Sequence, residues 1–132
     1  MDQSTRTKET PGDRACIAAS ELAAFAARAF VAAGLPDTDA QTVADLMVEA
    51  DLRGSDTHGV IRLPLYVRRL RAGGINRAPT IRLVSDRASV ALLDGDNGMG
   101  HLVMRRAAEL AIAKAKATGI GSPRCALSRT LP

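Results

Sequence analysis

Thr57, His58, Arg62 and Tyr66 fall within ten residues of one another, in the run DLRGSDTHGVIRLPLY from Asp51 to Tyr66. Each carries a group that suits chemistry at an oxygen atom. A guanidinium can grip a carboxylate through two parallel hydrogen bonds. An imidazole titrates near neutrality, so it can give or take a proton at an adjacent substrate oxygen. The hydroxyls of Thr57 and Tyr66 can orient that same oxygen. On a continuous helix His58, Arg62 and Tyr66 stand at i, i+4 and i+8, within about 80° of one another. Pro64 predicts a bent or two-part helix, settling into regular turns from Pro64 to Ala72, because proline removes a backbone donor and crowds the preceding turn. Each residue also has a plainer reading. His58 is then a cap, Arg62 a salt-bridge partner of Asp56 or of the acidic helix before it, and Tyr66 a core aromatic.

The elements that would position this run can be read on either side of it. Before it, Ser20 reads as the N-cap of a helix to about Ala33, with Glu21 suited to the positive end of the helix dipole. Leu22, Phe25, Ala26, Ala29 and Phe30 form its apolar stripe, and Gly34 fits the left-handed stop. Asp37 or Thr38 reads as the cap of a second helix to about Leu52, ended by Gly54. Its apolar positions are Ala40, Val43, Ala44, Met47 and Val48, and Asp37, Asp39, Asp45 and Glu49 make its other side acidic. The short link predicts an antiparallel pair. After the run, Gly73 and Gly74 stop the third helical segment. Thr80 to Val84 and Ser89 to Leu93 then read as a hairpin. A loop at Asp94–Gly100 leads into a helix from about Met99 to Thr118, closed by Gly119. The last stretch, SPRCALSRTLP, has neither a helical nor a strand period.

The glycine loop, Gly95-x-x-Gly98-x-Gly100, lies after a strand and before a helix, where backbone N–H groups can meet anions. Its spacing is not that of a dinucleotide or phosphate loop, so a plain turn is the stronger reading. His101, just beyond it, is a candidate by position alone, with a helix cap as its plainer reading. Two histidines without nearby carboxylate or cysteine ligands specify no metal site.

The totals set limits. A chain of 132 residues makes one domain, or one and a fraction. Apolar content is 46% but leans on alanine, with Phe25, Phe30 and Tyr66 the only aromatics. Close helix packing or a partner surface must therefore supply stability. Net charge is +4, from 15 arginines against 3 lysines. Residues 59–85 hold Arg62, Arg68, Arg69, Arg71, Arg77 and Arg82 and no acid. Such a run admits a nucleic-acid binder, but it lacks interleaved aromatics and any known motif. A small helical binding module without chemistry is the other alternative. Cys16 and Cys125 have no metal or redox spacing, which suits a reducing compartment. No apolar run reaches membrane-span length and the polar N-terminus has no signal-peptide core, so the cytoplasm is expected.

Three pieces of the sequence then resemble a known family: AAGLPDTDAQTVADLMVEADLRGSDTHG, RLPLYVRRLRAGGI and LLDGDNGMGH with the helix after it. From about Ser20 to Gly121 the chain resembles the N-terminal part of the malate/L-lactate dehydrogenase-like oxidoreductases. That group includes ureidoglycolate dehydrogenase, 2,3-diketo-L-gulonate reductase and Δ1-piperideine-2-carboxylate reductase. The resemblance implies an α/β (α+β) fold: a helical subdomain, then the first strands and helix of a non-Rossmann domain for NAD or NADP, incomplete here. The polar residues at 1–15, with Pro11 and Gly12, read as a disordered tail, and the resemblance divides the rest into the helical subdomain at 16–74, the start of the cofactor domain at 75–121 and a non-family tail at 122–132. It implies reduction of a 2-oxo acid or cyclic imine acid by homodimers. His58 takes the place of a proton donor, Arg62 that of an arginine on the substrate carboxylate, and Tyr66 that of a site tyrosine. Thr57 stands where the family usually has serine. Cofactor-binding residues and a downstream Asn-His-Phe-Gly segment lie beyond the matching part. None can be assigned here, and little or no turnover by this chain alone is expected.

Overall fold

The computed structural model describes residues 16–126. The expected disordered tail at 1–15 lies outside them, as does the end of the 122–132 segment. The first helix, α1, spans Ala19–Ala32, and the second, α2, spans Asp37–Leu52. Alanines at the contact let the two approach closely. Ala26, Ala27, Ala40 and Ala44 are all buried, and they share a core with Phe30, Val43, Met47 and Leu70. Full burial of each of these four larger side chains is worth about 1.5–3 kcal/mol. The buried stripe of α1 is Ala23, Ala26, Ala27 and Phe30. Phe25, expected in that stripe, is instead 53% exposed, and Leu22 and Ala29 are half-buried.

Neither expected cap forms. Ala18 holds the N-cap position of α1, which puts Ser20 inside the first turn. Pro36 holds that of α2 with φ −58, so Asp37 is already helical and Thr38 lies further in. The carboxylates of Asp37 and Asp39 therefore act on the helix dipole from within the first turn rather than by capping. The helix ends are as expected. At the end of α2, Gly54 adopts φ +75 while its N–H bonds Asp51 O and that of Ser55 bonds Ala50 O. This is the paired closure that favours glycine, and α1 ends in the same way at Gly34.

Beyond α2 the chain makes two single 3-10 turns, Asp56–His58 and Val60–Arg62, before α3 at Leu63–Arg71. Pro64 does not kink a helix interior. It sits in the first turn of α3, where its missing N–H costs nothing.

A hairpin follows, β1 at Arg82–Asp86 antiparallel to β2 at Val90–Asp94, with a bulge between Leu83 and Ser85. β1 starts two residues later than read from sequence because the Thr80 N–H is already taken by Asp96 Oδ2, at 3.0 Å. Helix α4 runs Gly100–Thr118, and β3 at Ser122–Ala126 lies parallel to β2, giving the order β1-β2-β3. The segment without a visible period is therefore a strand. Its pairing is non-local, and Pro123 is tolerated because β3 is an edge. Ala91 and Leu93 of β2 are buried, as are Val103 and Ala107 of α4, which packs on β2 and β3. Met99, ahead of α4, joins the helical core, so the two parts share an interior.

Candidate functional site

The site is built on a loop that α2 holds shut. Asp51, near the end of α2, accepts the Val60 N–H at 2.9 Å across nine residues of chain. Gly59 lies between the two 3-10 turns in extended backbone, φ −84 and ψ −158, and is buried against that carboxylate. A Cβ there would overlap the Asp51 carboxylate, with even Oδ2 only 2.6 Å away. Close approach, not backbone freedom, is what requires glycine. No local pattern in the sequence marks Asp51 as the latch.

Extended Gly59 breaks the helix on which His58, Arg62 and Tyr66 were expected to align. The single bent helix with one shared side is thus corrected. Contact is restored differently: Arg62 folds back and donates from Nε to the Thr57 carbonyl. Thr57 Oγ1 lies 3.1 Å from His58 Nδ1, with Ser55 Oγ at 3.4 Å. Thr57, His58 and Arg62 therefore form one exposed cluster. Two groups remain open. His58 Nε2 has no protein partner among the described residues, and neither have the two terminal nitrogens of Arg62. The salt bridge to Asp56 weighed for Arg62 does not form among them.

Chemically, hydroxyls hold one ring nitrogen of His58 and leave the other without a partner among the described residues. A hydroxyl can accept from Nδ1–H or donate to a bare Nδ1, so it serves the imidazole before and after proton transfer. With Nε of Arg62 tied to the chain, the end-on fork of two N–H groups is left for a carboxylate.

Tyr66 is placed apart from this hydrogen-bonded cluster. Arg62 is the N-cap residue of α3 with helical φ and ψ, so Tyr66 follows one turn later on the same side. Its ring packs against the helical core and meets His101 edge-on, centroids 5.4 Å apart at 85°. His101 is not a cap, since Met99 holds that position in α4. Its Nδ1 is buried without a partner, and burial pushes the imidazole pKa below its ordinary value. A contact across 35 residues leaves no local signal, and the sequence offered His101 only by position.

The glycine loop is a clasp. Asp96 Oδ2 accepts from Asn76 Nδ2 at 2.9 Å as well as from Thr80 N, and Asn97 Nδ2 donates to Gly74 O at 3.2 Å. A Cβ on Gly98 would meet Pro79 Cγ at 2.6 Å. Pro79 packs on Gly98, and the Asp96 and Gly98 N–H groups are spent within the loop, on Asp94 Oδ1 and Gly95 O. The arginine run is also partly committed. Arg77 donates twice to Leu70 O, at 3.1 and 3.0 Å, closing the end of α3. Arg82 pairs with Asp94 at 3.7 Å.

The model of one family, malate/L-lactate dehydrogenase, matches residues 17–128. The chain belongs to that family. The match runs through β3, within the 122–132 segment expected to lie outside the resemblance. The chain is 48% identical over 101 residues to a malate dehydrogenase of Pyrococcus abyssi, covering 76% of this chain and 28% of that one. It is 46% identical over 88 residues to an L-sulfolactate dehydrogenase of Methanocaldococcus jannaschii, covering 67% of this chain and 26% of that one. The solved malate dehydrogenase of Pyrococcus horikoshii superposes with a TM-score of 0.74 at 48% identity, over 78% of this chain and 30% of that chain. The chain thus spans less than a third of the length of these family members. Among the described residues no helix is long and apolar enough to cross a membrane.

Proposed function

We propose that this segment forms the acid-binding and proton-transferring part of an NAD- or NADP-dependent dehydrogenase interconverting 2-oxo and 2-hydroxy acids, or a cyclic imine acid and its reduced form. The observation that carries the reading is the Thr57–His58–Arg62 cluster, with one imidazole nitrogen held and the other open beside a guanidinium whose fork is unspent. Arg62 takes the carboxylate of the acid end-on. That fixes the neighbouring carbonyl, and holding both groups in register is what lets a proton reach the correct oxygen. As hydride arrives at the carbonyl carbon, charge gathers on its oxygen. His58 delivers a proton there from Nε2 while Thr57 keeps the ring oriented. Tyr66, one turn beyond Arg62, offers a phenol to the same acid. When bound, a nicotinamide cofactor supplies the hydride.

Three further readings accompany this one. We propose a homodimer, supported by Leu52 and Ile61, apolar side chains 73% and 76% exposed on either side of the site loop. The cytoplasm is proposed as compartment, in keeping with the exposed Cys16 and Cys125. The 132-residue chain alone is expected to bind acid without turnover. The experiment is a binding titration of the chain with pyruvate, followed by a turnover assay with NADH and NADPH over a panel of 2-oxo acids. Pyruvate binding that disappears in Arg62→Ala supports the acid site. Equal binding by the variant, or none by the parent chain, refutes it. Robust turnover would overturn the expectation of inactivity.

A further inference from the structure

His101 has no hydrogen-bonding role that the described residues reveal. Its Nδ1 is shut away from solvent and bonds nothing among the described residues. A buried polar atom without a partner costs stability, so the nitrogen does not explain the residue. What His101 does contact is the ring of Tyr66, edge-on at 5.4 Å and 85°. Its own placement is rigid. Met99 and Val103, two residues either side of it, are each 1% exposed and pin the start of α4. Tyr66 in turn follows Arg62 by one turn of α3. Its hydroxyl has no protein partner among the described residues, so packing alone must hold the phenol in place.

We infer that His101 is a positioning residue: its ring, acting as a ring rather than as a base, holds Tyr66 beside Arg62 so that phenol and guanidinium meet the same acid. Edge-to-face geometry is the arrangement in which aromatic pairs attract beyond simple burial. Burial lowers the pKa of this imidazole, which favours its uncharged ring. The inference rests on the acid-site reading above and names a residue from a different part of the fold as its support.

The test uses the 132-residue chain with pyruvate as probe. His101→Leu keeps apolar bulk without a ring, and His101→Phe keeps a ring without nitrogens. Affinity should fall about two- to tenfold in His101→Leu, the range an edge-to-face pair sustains. It should stay within about twofold of the parent in His101→Phe, whose ring preserves that contact. Tyr66 ring-proton shifts in NMR spectra should lose their ring-current displacement in the first variant and keep a displacement of the same sign in the second. In a Tyr66→Phe background His101→Leu should add little further loss, because the hydroxyl being positioned is gone. Unchanged affinity in His101→Leu overturns the inference, and so does equal loss in both variants. If His101→Leu does not fold, His101→Met supplies the ring-free comparison: unchanged affinity there overturns the inference, and so does lost affinity in His101→Phe. If the parent chain binds no pyruvate, the acid-site reading fails and the positioning role fails with it. Parent binding with an indifferent position 101 refutes the positioning role only.

Discussion

Gly59→Ala is the most informative single change, because its entire effect should pass through one side chain. The backbone at Gly59, φ −84 and ψ −158, is extended and open to any L-residue. The added methyl therefore has one problem, the Asp51 carboxylate, whose farther oxygen lies 2.6 Å from the new Cβ. For the chain to fold, that carboxylate must leave, and the Val60 N–H loses its acceptor at 2.9 Å. Losing a hydrogen bond to a charged group in a half-buried setting costs about 1.5–3 kcal/mol. Asp51→Ala loses the same bond but also removes a negative charge from the C-terminal turn of α2, which returns about 0.3–1 kcal/mol. Gly59→Ala should thus cost about 2–3 kcal/mol and Asp51→Ala about 1–2. In the double variant the bond can be lost only once and the clash is gone. Its cost should match Asp51→Ala alone, about 2–3 kcal/mol short of additivity. At this chain length 1 kcal/mol moves Tm by about 4 °C, so circular dichroism melts resolve all three variants. Pyruvate affinity should follow the same order, since the latch sets the loop that carries His58 and Arg62. Strict additivity, or a Gly59→Ala variant as stable as the parent, would falsify the latch.

Three other outcomes are expected. Arg62→Ala should abolish pyruvate binding in titration, while Arg62→Lys should retain a weaker, monodentate interaction, about tenfold down, because a point charge cannot reproduce the guanidinium fork. Gly98→Ala should lower Tm through its clash with the stiff Pro79 ring, at 2.6 and 2.7 Å, with a cost of about 1–3 kcal/mol; an unchanged melt would mean that the clasp between residues 74–80 and 94–98 is not tight. His101 has a folded-state pKa below its ordinary 6.5, so the unfolded chain binds its proton first as pH falls. Its contribution to stability is then complete above about pH 6.5, declines as pH drops through that value, and levels once the folded imidazole also protonates. Urea melts across that range should show the decline flattened in His101→Phe, and an identical pH profile would show that His101 is not the group responsible.

Much of the fold follows from patterns that span only a few residues. The apolar positions of α2 needed only the 3.6-residue period, and glycine at 34, 54, 73 and 119 marked helix ends because each takes positive φ there. The hairpin was visible in two β-rich runs around a polar turn. Boundaries shifted where a neighbour competed: Pro36 displaced the expected cap of α2, and Asp96 claimed the N–H of Thr80 before β1 could begin. β3 was illegible because SPRCA owes its strand state to pairing with β2 in register from Val90↔Ser122.

For the site, the residue types and their closeness in the chain were set locally, and so was the membership of Thr57, His58 and Arg62 in one group. How they meet was not. The order Thr57, His58, Gly59 up to Arg62 is compatible with a helix, but the Val60 N–H is committed to the Asp51 carboxylate, which packs against extended Gly59. The same holds for Tyr66 and His101, whose rings meet only because α4 is pinned to the helical core through Met99. Chemistry written in side-chain identity survives in the one-dimensional chain. Chemistry that depends on which surface blocks which conformation exists only once distant segments touch.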